Sequence, residues 1–184
     1  MKIIWERIIH KWRFLDFKEV EILLPNWNKK KWEKVSRKWP WAVWALVEHT
    51  KNNTFVFVEQ FRPAIWKKVL ELVAWVIDKP WKSLKEIISE EIREETWYVA
   101  DKIDFIMSWP KSPWLTDEMS YDFFVEVSWE KQPQQLWEYE DIEVIEFSKK
   151  NINNSLSLKE KSWVLISPWI YAMLYKYFFD IKLY

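Results

Sequence analysis

Four glutamates, Glu90, Glu91, Glu94 and Glu95, crowd into six positions of the stretch SEEIREETWY (residues 89–98), with only Arg93 among them to offset the charge. On a helix, Glu91 and Glu95 share a face one turn apart, as do Glu90 and Glu94. Like charges at that spacing destabilise an isolated helix by roughly 0.2–0.5 kcal/mol per pair. The ordinary reading of such a run is a solvated acidic face. Two features weigh against it here. The acids adjoin the apolar stripe of Leu84, Ile87, Ile88 and Ile92 instead of opposing it, and they gather at the C-terminal end, where the helix dipole disfavours negative charge. A bound hard cation answers both objections. Mg²⁺ takes oxygen ligands and accepts one or two carboxylates together with substrate phosphates.

The helix that carries these acids has its own start and stop. Ser83 followed by Glu86 is an S-x-x-E capping box, and Thr96-Trp97 stands where a terminating glycine is usual. Around it the chain reads as strands. FKEVEILLP (17–25) alternates, and PNWNKKK then reads as a turn. AVWALVEH and TFVFVEQF pair around TKNN as a hairpin, and VLELVAWVI reads as one apolar β-rich run. SYDFFVEVS (120–128) and IEVIEFS (142–148) are further strands, and a second helix runs from SPW through IYAMLYKYFF. Strands, a central helix, more strands and a closing helix predict an α/β fold with a mixed sheet covered by helices.

Composition narrows the chemistry. Lys and Arg total 28, matched by 28 Asp and Glu, a balance that argues against a nucleic-acid binder relying on a basic surface. The absence of cysteine excludes disulfides, thiolate metal sites and cysteine catalysis. No apolar run approaches a membrane span, and MKIIWERIIHKW lacks the features of a secretory signal, so a cytoplasmic protein with no membrane partner is expected. The two histidines, His10 and His49, are isolated from any partnered motif.

The chain has 0 Gly and 17 Trp, where about 7 per cent usage predicts on the order of 13 glycines. Several indoles stand where turn chemistry asks for glycine: in LPNW, in KWPWAVW and in EETW. Treated as glycine-like for pattern reading only, these positions make ELVAWVIDKPWKSLKEIISEEIREETWY resemble the box of the Nudix hydrolases, especially of the ADP-ribose and nucleotide-sugar pyrophosphatases. Residues 91–98 match E-U-x-E-E-x-G-U with Trp97 at the glycine, and Trp75 stands near the leading glycine, one residue further upstream than the strict spacing. QFRP (60–63), ELVA (71–74) and RKWPWAVW resemble the family's strand entries. SPWLTDE (112–118) resembles the S-P-G-x-x-x-E segment of its ADP-ribose enzymes, with Pro113 at their proline offset. The DKPW loop looks more like UDP-sugar enzymes. The box arginine is Glu90, and the glutamate eight residues before it is Lys82, a charge swap that would preserve a bridge between loop and helix.

The resemblance implies a Nudix-type α/β/α sandwich over residues 41–184, preceded by an N-terminal β extension (1–40) that serves homodimerisation. It implies Mg²⁺, or Mn²⁺, held by Glu91, Glu94, Glu95 and the Ala74 carbonyl. It implies substrate contacts from Arg37, Arg62, Ser112 and Glu118, and a general base, Glu140 or Glu138, in the acidic loop WEYEDIEV. The activity implied is hydrolysis of the diphosphate of ADP-ribose or a related nucleoside diphosphate sugar, giving a nucleoside monophosphate and a sugar phosphate. Two other readings compete: a nucleotide-sugar-binding module that has lost catalysis, and a structural α/β protein with an acidic helix. The indoles set a further expectation. About half a dozen of them in left-handed backbone would cost about 6–12 kcal/mol, comparable with a domain's roughly 5–15 kcal/mol stability, and Trp75 and Trp114 would crowd the site. A chain with all its indoles is therefore expected to fold poorly or lack activity.

Overall fold

Alternation along two central strands sets the architecture of the computed structural model, which describes residues 1–128 and 141–180. In β4 (Trp41–His49), Val43, Ala45 and Val47 face one core cluster, while Trp44 and Leu46 face a second. In β5 (Thr54–Arg62), Val56 and Val58 face the first, and Phe55 and Phe57 the second. A strand points successive side chains to opposite faces, so a sheet with two apolar faces must be covered on both. Helix α1 (Leu84–Thr96) covers the first face with Ile87, Ile88 and Ile92. Helices α2 (Ile152–Lys161) and α3 (Pro168–Tyr175) cover the second with Ile152, Leu156, Ile170, Met173 and Leu174. This is the α/β/α sandwich that the sequence predicts. Among the described residues no helix is long and apolar enough to cross a membrane.

The main sheet is mixed. β4 runs parallel to β9 (Met119–Val127), which pairs antiparallel with β8 (Ala100–Pro110), while β5 pairs antiparallel along its length with β10 (Ile142–Ser148). The predicted hairpin is present but short: β4 and β5 pair only at Val47–His49 and Thr54–Val56. Beyond that point they diverge, and β6 (Lys67–Glu71) and β7 (Val73–Val76) take their free edges, β6 on β5 and β7 on β4. The VLELVAWVI run is therefore two strands that part at Leu72, not one. Periodicity does not reveal this, because both halves are apolar; the break lies where the pairing partner changes. A short strand, β11 (Leu165–Ile166), adds in parallel to β6.

Before the sandwich lies a three-stranded antiparallel sheet of β1 (Lys2–Lys11), β2 (Leu15–Leu23) and β3 (Lys29–Arg37). Its tie to the main body is β3, where Val35 N donates to Leu115 O at 2.9 Å and Ser36 Oγ donates to Asp117 at 2.6 Å. β1, β3, β8 and α2 carry no clean periodic signal and are legible only in the structure. The closing helix ends at Tyr175 and continues as a wider turn over Lys176–Asp180. His10 is exposed. His49 ends β4 and is buried, accepting a hydrogen bond at Nδ1 from the Asn52 amide.

Among the described residues, four tryptophans occupy left-handed backbone: Trp27 (φ 62°), Trp66 (φ 55°), Trp97 (φ 59°) and Trp163 (φ 67°). Each sits where a chain reversal demands it. Trp27 closes the β2–β3 turn on Leu24 O, Trp66 the β5–β6 turn on Pro63 O, and Trp97 and Trp163 end α1 and α2 by donating to Arg93 O and Glu160 O. Trp75 and Trp114 are not among them. At about 1–2 kcal/mol each, the four still cost about 4–8 kcal/mol. Trp27 and Trp163 are 81 % and 82 % exposed, so their indoles return little packing. Replacing either with Gly should raise stability by about 1 kcal/mol and the melting temperature by about 2–4 °C. Trp97→Gly should gain less, because that ring packs on the core beside Tyr98. Calorimetry of the single variants checks this, and an unchanged or lower Tm for both exposed sites would remove the strain account.

Candidate functional site

Helix α1 begins where the capping box requires. Glu86 N donates to Ser83 Oγ at 3.3 Å, and Ser83 N donates to the Glu86 carboxylate at 2.7 Å. It ends at Trp97, and Tyr98 directly beyond plugs into the core with its hydroxyl on Glu146 of β10. With both ends anchored, the inward stripe is Ile87, Ile88, Glu91, Ile92, Glu95 and Thr96. Glu91 and Glu95 are thus on the buried face, 1 % and 5 % exposed. Glu94 lies half-buried beside them, and Glu90 turns outward to the loop.

Glu90 is held by two lysines of the preceding loop. Lys82 Nζ lies 2.5 and 2.6 Å from its two carboxylate oxygens, and Lys79 Nζ lies 3.3 Å from one of them. Lys82 and Glu90, the two positions that depart from the resembled pattern, form a bridge from the loop to the helix. The Lys82 hydrogen bonds, then those of Lys79, hold the Glu90 carboxyl below its ordinary range against the opposing effect of burial.

The divergence of β4 and β5 opens a cavity of about 240 Å³. Ala42 and Trp44 of β4, Gln60 and Arg62 of β5, and Ala74, Trp75 and Val76 of β7 form its walls; Glu95 reaches it from α1, and Arg37, Lys111 and Glu118 close it from the side. The tertiary structure therefore unites five of the sequence-predicted site residues, Arg37, Arg62, Ala74, Glu95 and Glu118, on one cavity. Glu91 and Glu94 stay on the helix next to it without lining it. Ser112 folds the β8–β9 loop, its carbonyl accepting from Leu115 N and Thr116 N, and lies outside the lining. Glu138 and Glu140 lie outside the described residues.

Polar partners order the walls. Arg62 grips Glu71 through Nε at 2.9 Å and Nη2 at 2.6 Å, and Gln60 Nε2 donates to the same oxygen at 3.1 Å. Gln60 and Arg62 share a strand face with Val58, the register partner of Glu71, so pairing of β5 with β6 brings the three together. Arg37 Nη1 lies 3.2 Å from Glu118 Oε1. Lys111, half-buried, lies 4.3 Å from the centroid of the Trp44 ring. Burial pushes its ammonium below the usual lysine range, with Glu118 acting in the opposite direction. Lys111, Glu71 and Gln60 escaped the sequence reading; of the two indoles expected to crowd the site, Trp75 lines the cavity and Trp114 does not. Lys111 immediately precedes the SPWLTDE segment, which was the available signal.

A divalent cation suits the donor set. Glu91 and Glu95 offer hard carboxylate oxygens one turn apart, and Ala74 lies on the same cavity as Glu95. Among the described residues no group of three acid, histidine or cysteine side chains is placed to hold a metal ion. Two carboxylates are a donor set of the kind Mg²⁺ accepts alongside waters and substrate phosphates.

Comparison with known proteins gives three findings. The chain is 29 % identical over 175 residues, 95 % of its length and 91 % of the relative's, to an ADP-ribose pyrophosphatase of Bacillus subtilis (strain 168). It is 31 % identical over 99 residues to the methanol dehydrogenase activator of Bacillus methanolicus, covering 54 % of this chain and 51 % of that one. The fold matches a crystal structure of an ADP compounds hydrolase with a TM-score of 0.72, over 85 % of this chain and 82 % of that chain, at 14 % identity. No family model matches.

The exchanged bridge makes a direct prediction. Lys82→Glu should destabilise the fold by roughly 0.5–1 kcal/mol, and adding Glu90→Lys should recover most of it. Because the folded Glu90 carboxyl lies below its ordinary 4.5, the bridge contributes above that pH and fades as pH falls through the lower folded value. The gap between wild type and Lys82→Glu should accordingly narrow in acid. Denaturant titrations at neutral and acidic pH check both points; equal stability of the single variant at neutral pH would rule the bridge out.

Proposed function

We propose that the chain is a Nudix hydrolase and that it hydrolyses the diphosphate bond of ADP-ribose or a related nucleoside diphosphate sugar in a Mg²⁺-dependent reaction, Mn²⁺ being able to substitute. The products are a nucleoside monophosphate and a sugar phosphate. The observation that carries this reading is the meeting of Glu95 with Arg37, Arg62, Ala74 and Glu118 on one cavity, beside the buried Glu91. The near full-length likeness to an ADP-ribose pyrophosphatase supports the same substrate class.

In this reading Glu91 and Glu95 hold the cation, with Glu94 and the Ala74 carbonyl assisting. The chemistry a bound Mg²⁺ supplies is neutralisation of diphosphate charge and activation of water. The remaining work belongs to the chain. Arg37 and Arg62, set by Glu118 and Glu71, present planar guanidiniums suited to phosphate or ribose oxygens. Ser112 shapes the loop that carries Glu118. A carboxylate must take a proton from the attacking water. Glu140 or Glu138 is proposed for that role, on the strength of the acidic loop's resemblance and of its place in the chain just before Ile142, which lines the cavity. The N-terminal sheet, residues 1–40, is proposed as the homodimerisation element, because β1 leaves Ile3, Ile8 and Ile9 exposed on both its faces.

Incubation with ADP-ribose and with UDP-glucose, each with Mg²⁺, followed by product assay, tests the proposal. Binding without turnover would select the catalytically inactive module, and neither binding nor turnover a structural protein. Glu95→Gln should cut turnover by more than the roughly 10–100-fold typical of groups that only support metal ligands, with the melting temperature kept. Undiminished turnover in that variant would strip Glu95 of its role.

A further inference from the structure

Among the described residues three cations line the cavity, and two of them are already committed. Arg37 lies against Glu118 and Arg62 against Glu71. The third, Lys111, has no carboxylate within ion-pair distance among the described residues, and its ammonium rests over the Trp44 indole. Its backbone is fixed where β8 gives way to the loop, the Lys111 amide donating to Glu118 O at 3.0 Å. The charged groups around it are Glu118 and Asp122 from the loop and β9, Arg37 from β3 and Glu71 from β6. None of these acids pairs with it directly. Glu118 and Glu71 serve the arginines, and Asp122 accepts from Ser120 Oγ and from Trp109 Nε1 at 2.7 Å.

A cation half removed from water beside an aromatic wall lacks full hydration and gains most from an anion that enters the same space. Resting on the hydrolase reading above, we propose that Lys111 is the cation that binds a phosphate of the nucleoside diphosphate substrate. Arg37 and Arg62, their charge partly spent on Glu118 and Glu71, then serve neighbouring phosphate or ribose oxygens. As a compact point charge, lysine asks only for a negative oxygen and not for a planar bidentate partner. Its part is therefore to capture the diphosphate, whatever sugar is attached.

The test uses Lys111→Met, which keeps the aliphatic stem against Trp44, and Lys111→Arg, which restores the charge. With ADP-ribose and Mg²⁺, Lys111→Met should raise KM about ten- to a hundred-fold and leave kcat within about threefold, and Lys111→Arg should recover most of the loss. Calorimetric titration of ADP-ribose into metal-free protein reads binding apart from turnover, and the same weakening is expected there. If the wild type turns over ADP-ribose and Lys111→Met shows an unchanged KM, the Lys111 assignment falls while the hydrolase reading stands. If the wild type binds ADP-ribose and hydrolyses nothing, the hydrolase reading falls, and weaker binding by Lys111→Met still supports the lysine's role. Equal binding by wild type and Lys111→Met would overturn it. Lys111→Gln provides the same readings should Lys111→Met not fold.

Discussion

Two carboxylates turned toward the interior of the fold constrain nearly everything around them. Glu91 and Glu95 are on the same helical face as Ile87, Ile88 and Ile92, and that face must be buried to cover the sheet. Taking a carboxylate out of water costs several kcal/mol unless compensating charge or hydrogen bonding is supplied. A helix bearing such groups needs firm ends. The capping box fixes one, and the left-handed turn at Trp97 with the Tyr98 plug fixes the other. The Lys82–Glu90 bridge then ties the preceding loop to the helix's outward side.

The second constraint is the parting of β4 and β5. Two strands that stay paired leave no room for a ligand between them; these two separate after three residue pairs, and the chain returns as β6 and β7 to satisfy the edges exposed. Hydrogen-bonding demand is met without filling the gap, and the gap is the cavity. The arginines on its walls are set by acids drawn from other elements, Arg62 by Glu71 of β6 and Arg37 by Glu118 of the β8–β9 loop. That loop is in turn clamped by β3 of the N-terminal sheet through Ser36, Val35 and Lys34. The extension thus shapes one side of the site as well as offering a surface.

The tryptophans work against this architecture in a localised way. Four are held in backbone that glycine enters freely, and each lies at a reversal the topology cannot avoid. Trp75 is a different case. Its backbone is ordinary strand, but its ring forms part of the cavity wall, so any effect there concerns space for a ligand and not backbone strain.

Local signals in the chain were enough to determine α1 with both its ends, the paired central strands, the acidic face and the need for left-handed backbone at Trp27 and Trp97. These depend on side chains within a few residues of one another, where spacing alone sets geometry. The resemblance also implied a bridge between Lys82 and Glu90, which the structure contains because loop and helix are adjacent in sequence. Only the tertiary structure decided that VLELVAWVI is two strands, that Arg37 and Arg62 reach the same cavity as Glu95, that Ser112 does not line it, and that Lys111 does. Each of these rests on which strand pairs with which across tens of residues. Such pairing comes from burial of two opposite apolar faces and from completion of backbone hydrogen bonds, and neither leaves a mark in any short window of sequence.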